Sequence, residues 1–380
     1  MNSRHASIAT QDIPSSTRSR TGLEATLVDE ASFHHMISLE RKRTARSGKP
    51  FLLMILEGEL GLPAARGGML AKILSALSLS IRETDVTGWY KEGSAIGVMF
   101  TEISGEDRDS TVGAMMKRLR ATLRKSLDWT EFDQISIAWH AFPEEWSQGA
   151  LQGNPALYPD LARRDRAQKP FRILKRAMDI VGSGLALLLF SPFMLLVAIL
   201  VKLSSEGPIL YKQQRLGQFG QPFTFLKFRS MYVNNDRNIH REFMKGVING
   251  EHDGKVEGEE DVVYKMTDDP RVTRIGKFMR RTSLDELPQF INVLRGDMSL
   301  VGPRPPIAYE FEEYDIWHRR RVLEIKPGIT GLWQINGRSR VRFDDMVRLD
   351  LRYARTWSLW LDICILIQTP AAVLLGDDAY

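Results

Sequence analysis

Two adjacent carboxylates, Asp285 and Glu286, lie in a part of the chain that is rich in arginine and lysine. A carboxylate can attack phosphorus or hold a divalent cation, and guanidinium groups bind phosphate through paired, charge-assisted hydrogen bonds. This combination of residue types favours chemistry on an anionic, diphosphate-bearing substrate. The basic residues around the carboxylate pair are Arg271, Arg274, Lys277, Arg280, Arg281, Arg295 and Arg304.

The same carboxylates also have a purely structural interpretation. Ser283 and Glu286 have the spacing of a capping box, in which the two side chains bond to the free N–H groups of a helix's first turn. Acidic residues in that turn also stabilise the helix dipole. On local sequence alone, the capping interpretation is the stronger of the two, and the surrounding cations are what favour a catalytic interpretation.

An uncharged apolar run, Ile180–Val201, comes before this region in a chain that is 26% charged overall. About 20 helical residues cross a bilayer's hydrocarbon core of roughly 30 Å. Ser191-Pro192 lies in the middle of the run, and proline removes a backbone donor, so we expect a bend or a break there. A sharp break gives two halves of about 15 Å each, since each helical residue rises about 1.5 Å.

The flanks of the run are basic on both sides: seven basic residues and one Asp in Arg163–Arg176, and Lys202, Lys212 and Arg215 after it. Positive charge near a membrane segment favours the cytoplasmic side. We therefore predict a re-entrant membrane segment over 175–204, with both ends on the cytoplasmic face. A spanning helix with a proline kink remains an alternative, because membrane helices tolerate proline.

Composition sets the limits for the rest of the 380 residues. A formal charge of +5 fits attraction to anionic lipid or to phosphate. A single cysteine, Cys364, excludes an internal disulfide framework, and the seven histidines have no metal-ligand spacing. We predict a disordered tail over 1–22 and a linker over 151–168, which is rich in Gly, Pro and Ala.

Residues 23–150 have the pattern of one α/β domain. We predict helices at 31–48, 69–83 and 107–127, and strands at 51–56, 86–90, 95–100 and 135–141. This order, with the wording RTARSGKPFLLMILEGE and IRETDVTGWYKEGSAIGVMF, resembles the catalytic domain of diguanylate cyclases.

That family has Gly-Gly-Asp/Glu-Glu-Phe at the hairpin turn, whereas this chain has Lys91-Glu92-Gly93-Ser94-Ala95. The position where that family has an Asp metal ligand, at the end of the first strand, falls here near Leu56 or Glu57. A cyclase needs carboxylates that hold two divalent cations, so we predict a degenerate, non-catalytic domain. An unrelated α/β domain is the alternative.

After the apolar run, 210–212 and 223–228 alternate like strands around a Gly-rich turn. The polar segment 234–262 is predicted to be a mobile insertion without a packed core. The Gly-rich segment 326–336 has the character of a loop that lines a phosphate or base site, although such a loop is a weak signal alone. Trp357–Leu375 is short for a spanning helix and contains Asp362, so we predict an amphipathic helix in the membrane interface.

Residues 173–380 resemble the bacterial sugar transferases, the monotopic polyprenyl-phosphate glycosyl-1-phosphate transferases. Seven matching stretches in the same order make a chance match very unlikely, and 234–262 is the one gap in the resemblance. The matching stretches are KRAMDIVGS (175–183), SP (191–192), QQRLG (213–217), KFRSM (227–231), DPRVTRIGKFMRRTSLDELPQFINVLRGDMSLVGPRP (269–305), KPGITGLWQINGR (326–338) and DLRYARTWSLWLDICIL (350–366).

The resemblance implies a reaction and a set of site residues. Such enzymes move a sugar 1-phosphate from a UDP-sugar to a polyprenyl phosphate and release UMP. Asp285 matches the nucleophile, which forms an aspartyl-phospho-sugar, and Glu286 matches the neighbour that holds Mg²⁺ or manages the proton. The residues predicted to bind substrate are Lys227, Arg229, Arg280, Arg304 and Arg338, and those predicted to anchor the membrane segment are Arg176, Asp179, Ser191 and Pro192.

Together these expectations describe an α/β, nucleotide-cyclase-like domain followed by a mostly α, monotopic membrane domain over 169–380, with a re-entrant helix and interfacial amphipathic helices. The predicted cofactor is Mg²⁺, held by Asp285 and Glu286. The predicted partners are a UDP-sugar, polyprenyl phosphate and inner-membrane lipids at the cytoplasmic face. A homodimer and a nucleotide regulator of the first domain are further possibilities.

Two other classes of function compete with the transferase. A membrane-anchored regulatory protein that responds to a cyclic dinucleotide would use 23–150 as its sensor. The intact Asp285-Glu286 and Arg304, beside the degenerate hairpin Lys91–Ala95, favour the enzyme. Nucleic-acid binding is a poor interpretation, because no recognition motif accompanies the basic residues.

Overall fold

The computed structural model describes residues 27–58, 67–101, 103, 108–143, 153–233, 238–249, 271–337 and 341–375. The predicted tail 1–22, most of the polar segment from 250 on, and Arg338 lie outside these residues. The chain divides between Trp139 and His140 into two compact units, with Arg41–Gly48 assigned to the second unit.

The first unit is built on a four-stranded sheet in the order β2-β3-β1-β4. Strand β1 is buried at six of its seven positions, and it pairs antiparallel with β3, which in turn pairs antiparallel with β2. Phe33 packs where Gly88 and Gly97 leave room, since a Cβ on Gly97 would lie 2.2 Å from its ring. The elements are α1 (Glu30–Ser47), β1 (Phe51–Glu57), α2 (Gly67–Ser78), β2 (Val86–Lys91), β3 (Ala95–Phe100), α3 (Arg108–Ser126), α4 (Trp129–Asp133) and β4 (Ser136–Phe142).

The predicted α/β character of this unit is confirmed, with two differences. Helix α2 ends at Ser78, five residues before the predicted end, and the short helix α4 was not predicted. At the hairpin, Glu92 is exposed and its backbone N–H donates to Glu30 Oε2 at 2.8 Å. Leu56 is fully buried in the core and Glu57 ends β1.

Residues 151–168, which belong to the second unit, were predicted to be a linker. A 3₁₀ turn, Pro155–Leu157, and helix α5 (Pro159–Ala167) occupy this segment. Asn154 caps the turn by accepting a hydrogen bond from the Ala156 N–H, and Leu157 and Tyr158 are buried. The high Gly, Pro and Ala content therefore belongs to a packed helical segment, because prolines begin both helical turns.

Helix α6 (Lys169–Ser204) is the one helix among the described residues that is long and apolar enough to cross a membrane. It runs through Pro192 as one helix, so of the bend or break expected there, a sharp break is not observed. Proline cannot bond the carbonyl four residues earlier, which is that of Leu188. The Ser191 hydroxyl donates to this carbonyl at 2.8 Å and so compensates for the missing bond. This is the structural role of Ser191 beside Pro192.

A mostly helical body with two small sheets follows α6. Strands β5 and β6 form an antiparallel pair, and β7 and β8 a parallel pair. The elements are β5 (Leu210–Leu216), β6 (Pro222–Phe228), α7 (Asn238–Ile248), α8 (Arg274–Arg281), α9 (Gln289–Arg295), β7 (Ser299–Val301), α10 (Ala308–Glu312), α11 (Ile316–Glu324), β8 (Gly328–Thr330), α12 (Leu332–Ile335), α13 (Phe343–Thr356) and α14 (Leu359–Leu375).

Helix α7 corrects the expectation that 234–262 has no packed core. Val247 and Ile248 are buried in a cluster with Leu216, Phe311 and other apolar residues, and Phe243 packs against the same cluster. The polar composition of the surrounding residues hid this amphipathic helix from sequence reasoning. The part of the segment beyond residue 249 lies outside the described residues.

Helix α14 has one exposed and one buried side, and its place in the membrane interface stays a prediction. Trp360, Ile363 and Ile367 are exposed on one side, whereas Ile365 is buried. Asp362 is fully buried, and its carboxylate accepts hydrogen bonds from Lys175 Nζ at 2.7 Å and Trp357 Nε1 at 3.1 Å. The charge that seemed out of place in an apolar helix is therefore satisfied by an ion pair with α6.

Candidate active site

The turn that carries the carboxylate pair is fixed from both sides. Asp285 is only 6% exposed and lies in a 3₁₀ turn, Leu284–Glu286. Ser283, just before it, has a left-handed backbone (φ 56°), which is uncommon for a residue with a side chain. Leu284 and Leu287 pack in the cluster that contains Val197 and Val201 of α6. The buried carboxylate is thus held directly beside the C-terminal part of the apolar helix.

The capping-box interpretation of this turn is wrong. The Ser283 side chain makes no cap hydrogen bond, and helix α9 begins only at Gln289, with Pro288 as its N-cap. The acidic residues therefore precede the helix by a full turn of backbone.

Lys227 lies near the end of β6, half-buried, within the electrostatic field of Asp285. Burial lowers the pKa of Lys227 to about 8, the Asp285 carboxylate opposes this shift, and the nearby Arg280, Arg215 and Arg304 add to it. Lys227 thus belongs to a crowded group of cations around the Asp285 carboxylate. Such a group is suited to the several negative charges of a diphosphate.

Arg280 comes from α8 and reaches the same place. Its Nε donates to Ser230 Oγ at 3.0 Å. Helix α8 can approach Ser230 closely because position 276 is a glycine: a Cβ there would lie 2.0 Å from the Ser230 carbonyl oxygen. Thr273 caps the helix by accepting a hydrogen bond from the Gly276 N–H at 2.9 Å.

Arg304 lies in the Pro303–Pro305 turn, which two other arginines hold by their side chains. Arg215 Nη1 donates to the Pro305 carbonyl at 2.8 Å, and Arg321 Nη2 donates to the Arg304 carbonyl at 3.1 Å. Arg215 is almost fully buried, and burial, followed by the charge of Arg304, lowers its pKa to about 10. Sequence reasoning missed Arg215 as a site residue, although it stands in the QQRLG motif.

The Gly-rich segment 326–336 has a structural role in this arrangement. Gly302 and Gly328 pack backbone against backbone, since a Cβ on Gly328 would lie 2.0 Å from the Gly302 nitrogen. The Gly302 N–H donates to the Thr330 carbonyl at 2.8 Å. These contacts fix the strand that leads into the Arg304 turn.

Arg321 is itself held by a buried ion pair. Its Nη2 lies 2.8 Å from Asp350 Oδ2, and both side chains are at most 2% exposed. Burial raises the pKa of Asp350 to about 6, and Arg321 opposes this shift. Removing one partner of such a pair leaves an uncompensated buried charge, so the pair holds Arg321 in place. Because Arg321 donates to the Arg304 carbonyl, the pair also helps to fix the Arg304 backbone.

Asn292 connects the strand that carries Lys227 to the helix that follows Asp285. Its Nδ2 donates to the Thr224 carbonyl at 2.7 Å, and its Oδ1 accepts from the Leu226 N–H at 3.0 Å. Asn292 is fully buried. The side chain therefore fixes β6 relative to α9, and with it Lys227 relative to Asp285.

Arg229, which was predicted to bind substrate, contacts the end of α6 in the structure. Its Nη2 donates to the Ser205 carbonyl at 2.6 Å and to Ser205 Oγ at 3.0 Å, at the C-terminal end of α6. Arg229 is buried there, and it caps the last carbonyls of the apolar helix. Arg229 therefore helps to position α6, and its predicted contact with the substrate stays a prediction. Arg338, the other predicted substrate contact, lies outside the described residues.

Two of the four residues predicted to anchor the membrane segment, Arg176 and Asp179, fasten its N-terminal part to the body. Asp179 Oδ1 accepts from Ser299 Oγ and from the Leu300 N–H, each at 2.9 Å. Arg176 donates to the carbonyls of Val293 and Leu294 at 2.6 and 2.7 Å, at the end of α9. These bonds link α6 to the strand β7 and to the helix that follows the Asp285 turn.

No group of three His, Cys, Asp or Glu side chains among the described residues could hold a metal ion alone. Mg²⁺ does not require such a group, since it is often bound by one or two carboxylates together with substrate phosphates and water. Asp285 and Glu286, as consecutive carboxylates beside a group of cations suited to phosphate, fit that donor set.

The model of the bacterial sugar transferase family matches residues 170–376, and the chain belongs to this family. An undecaprenyl-phosphate galactose phosphotransferase of Salmonella typhimurium is 44% identical over 217 residues, which cover 56% of this chain and 43% of that protein. The exopolysaccharide production protein ExoY of Sinorhizobium fredii is 44% identical over 208 residues, covering 55% of this chain and 88% of ExoY. The chain thus spans less than half of the Salmonella relative and most of ExoY.

Among solved structures, a GGDEF domain of Pseudomonas aeruginosa (TpbB or YfiN) aligns with 39% of this chain and 88% of its own, at 15% identity and a TM-score of 0.27. A score of that size does not establish a common fold. The resemblance of the first domain to diguanylate cyclases therefore stays a prediction from the sequence.

Proposed function

We propose that this protein transfers a sugar 1-phosphate from a UDP-sugar to polyprenyl phosphate at a membrane surface and releases UMP. The observation that carries the proposal is the buried Asp285 carboxylate, held among Lys227, Arg215, Arg280 and Arg304 beside the apolar helix α6. The names of the relatives support the same reaction, because one is a phosphotransferase that acts on undecaprenyl phosphate. Exopolysaccharide assembly is the use that the ExoY relative suggests.

In the first step, an Asp285 carboxylate oxygen attacks the phosphorus that carries the sugar. A P–O bond forms to Asp285, the bond from that phosphorus to the bridging oxygen breaks, and UMP leaves with this oxygen. Carboxylates are weak nucleophiles, so the charge of the diphosphate must be offset. Lys227, Arg280 and Arg304 supply the positive charge, and such preorganised electrostatic groups are worth several kcal/mol.

In the second step, a phosphate oxygen of the polyprenyl phosphate attacks the same phosphorus. The bond from phosphorus to Asp285 breaks, the free carboxylate is restored, and a polyprenyl-diphospho-sugar forms. The position of the catalytic turn beside α6 suits this step, since the acceptor's head group must meet Asp285 while its chain stays in lipid. Mg²⁺, held by Asp285 or Glu286 with the substrate phosphates, would neutralise charge on the diphosphate.

The experiment is a panel of UDP-sugars supplied to the purified full-length protein with undecaprenyl phosphate and Mg²⁺. UMP release that depends on one or a few of the sugars, with formation of a lipid-linked diphospho-sugar, is the expected result. No UMP release with any sugar would contradict the proposed reaction. The sugar itself is decided by the panel.

We also propose that α6 is re-entrant and that the protein is monotopic at the cytoplasmic face of the inner membrane. The support comes from the two ends of the helix, which are both fastened to the same body. Asp179 bonds to β7, and Val201, near the other end of α6, packs on Phe228, Met279 and Leu287. The middle of α6 is strongly exposed, with Leu188 at 74% and Leu189 at 69%. A spanning helix would have to hold parts of one compact body on opposite sides of the bilayer.

Single cysteines at Gln168 and Glu206, in a Cys364→Ser background, test this topology in intact cells. A membrane-impermeant thiol reagent should label neither site from the periplasm and both after the cells are opened. Periplasmic labelling of one site alone would mean a spanning helix. Pro192→Ala should shift part of the population towards spanning, because a straighter helix favours crossing.

A further inference from the structure

The outward side of helix α8 carries exposed residues that have no role in the two reaction steps described above. Its inward side is occupied, because Met279 is 1% exposed and packs in the cluster with Val197 and Val201 of α6. We use the name α8 face for the exposed residues on the outward side: Arg274, Lys277, Phe278 and Arg281. Phe278 is 58% exposed, an unusual state for a phenylalanine in a helix of eight residues.

Helix α8 also reaches the catalytic centre. Arg280 bonds to Ser230 and belongs to the cations that act on Lys227, as described above. Consecutive helical residues point about 100° apart. Arg281 is therefore turned away from Arg280, and it is exposed. It directly follows Arg280, the arginine that belongs to the proposed active site.

The surroundings of the α8 face are apolar and exposed. Tyr232 and Val233 are 50% and 51% exposed, and the Tyr232 N–H donates to the Arg271 carbonyl at 2.9 Å, just before α8 begins. Val233 also approaches Gly207, directly after α6, since a Cβ on Gly207 would lie 2.7 Å from Val233 Cγ2. Leu203, near the end of α6, is exposed too. Cations and aromatic side chains interspersed with exposed apolar groups complement a lipid head group above its chains.

We propose that the α8 face binds the phosphate of the acceptor lipid and delivers it to Arg280 and Asp285. The inference rests on the proposed function and adds the route by which the second substrate reaches the site. A lipid phosphate monoester matches the face in charge, because guanidinium and ammonium groups bind phosphate and Phe278 contacts the first part of the chain. General anionic phospholipid is a weaker match, because α8 itself continues from the surface to the catalytic carboxylate.

The test uses the full-length protein in zwitterionic phosphatidylcholine nanodiscs with a known fraction of undecaprenyl phosphate. Arg281→Glu should raise the KM for the acceptor about tenfold or more, as the loss and reversal of one charge-assisted contact predicts. Phe278→Ser should raise the same KM by a smaller factor. The KM for the UDP-sugar, and the amount of UMP released before acceptor is added, should stay at wild-type values. Arg281→Lys should restore most of the affinity for the acceptor.

Arg352→Glu on α13 is the matched control, because it reverses one exposed arginine on a helix that packs on α11 and α12. It should change the acceptor KM less than twofold. An unchanged acceptor KM in both Arg281→Glu and Phe278→Ser would overturn the inference, as would an equal effect of the control. A drop in UMP release by Arg281→Glu would also overturn it, since the residue would then act through Arg280. If Arg281→Glu weakens only the binding of the protein to phosphatidylglycerol vesicles, the face is a general lipid contact and the proposed route is wrong.

These outcomes are separate from those of the proposed function. Wild-type turnover of a UDP-sugar is measured first and decides the reaction. Only the comparison among the variants decides the role of the α8 face.

Discussion

The chain has an acidic turn in each of its two units, and the two turns are held very differently. In the first unit, the hairpin residue Glu92 is exposed, and its backbone N–H is bonded to Glu30. In the second unit, Asp285 is buried, and Lys227 lies within its electrostatic field. Burying a carboxylate costs free energy unless nearby cations compensate it, so the surroundings of Asp285 favour a functional role that the exposed Glu92 does not share.

The largest effect should come from Asp285→Asn, which keeps the shape of the side chain and removes its nucleophilic charge. Turnover should fall by about 10³-fold or more, as expected for loss of a covalent nucleophile. The same substitution at Asp345, an exposed partner of Arg348, should leave turnover nearly unchanged. UMP release from the UDP-sugar is the measurement. Near-normal turnover by Asp285→Asn would contradict the role of Asp285 as nucleophile.

The next effect concerns the pH dependence that Lys227 imposes. A lysine is charged below its pKa, and burial lowers the pKa of Lys227 to about 8, so its charge is lost as the pH rises through 8. The kcat/KM for the UDP-sugar should therefore fall above pH 8, since this parameter reports groups of the free enzyme. Lys227→Arg should keep its charge and move the fall to higher pH.

Lys212→Arg on the neighbouring strand β5 is the control for this pH profile, because Lys212 is exposed. It should leave the profile of the wild type unchanged. An identical alkaline fall in Lys227→Arg would assign the titration to another group.

A smaller effect should follow from Asn292→Ala, which separates the strand of Lys227 from the helix behind Asp285. The change leaves the Thr224 carbonyl and the Leu226 N–H without their partner, at a cost of about 1–3 kcal/mol for each buried group. Turnover should fall about tenfold and the melting temperature should drop. Thr122→Ala on α3 removes an exposed bond to the Arg118 carbonyl and should change neither quantity appreciably. Wild-type activity in Asn292→Ala would mean that Lys227 is positioned without it.

The smallest effect is expected in the first unit, where the comparison predicts no chemistry at all. The full-length protein incubated with GTP and Mg²⁺ should form no cyclic di-GMP above a buffer control. The hairpin lacks the carboxylates that would hold two divalent cations. Formation of cyclic di-GMP clearly above the control would contradict the prediction that this domain is non-catalytic.

Much of this arrangement could be predicted from the sequence, because periodicity and motifs carry it. The strands of the first unit, the apolar helix α6 and the amphipathic helix α14 all follow from the spacing of apolar residues. The importance of Asp285, Arg280 and Lys227 was implied by the transferase motifs, and the structure brings these side chains to one place.

The contacts that the sequence did not reveal have local physical causes. Arg229 follows Lys227 at the spacing of one strand face, but β6 ends at Phe228, so the alternation stops and Arg229 turns to the end of α6. Arg215 was missed because its role depends on a contact with the Pro305 carbonyl, 90 residues away. The continuity of α6 depends on the Ser191 hydroxyl, which satisfies the carbonyl that Pro192 leaves free.

The most direct measurement is a single-turnover experiment on the donor half of the reaction. The full-length enzyme is mixed with its UDP-sugar and Mg²⁺ without polyprenyl phosphate, and the released UMP is counted against active sites. The covalent route predicts about one UMP for each active site and a phospho-sugar adduct on the peptide that contains Asp285, detected by mass spectrometry. Adding polyprenyl phosphate should then remove the adduct. UMP release only when both substrates are present, with no adduct on that peptide, would contradict the assignment of Asp285 as nucleophile.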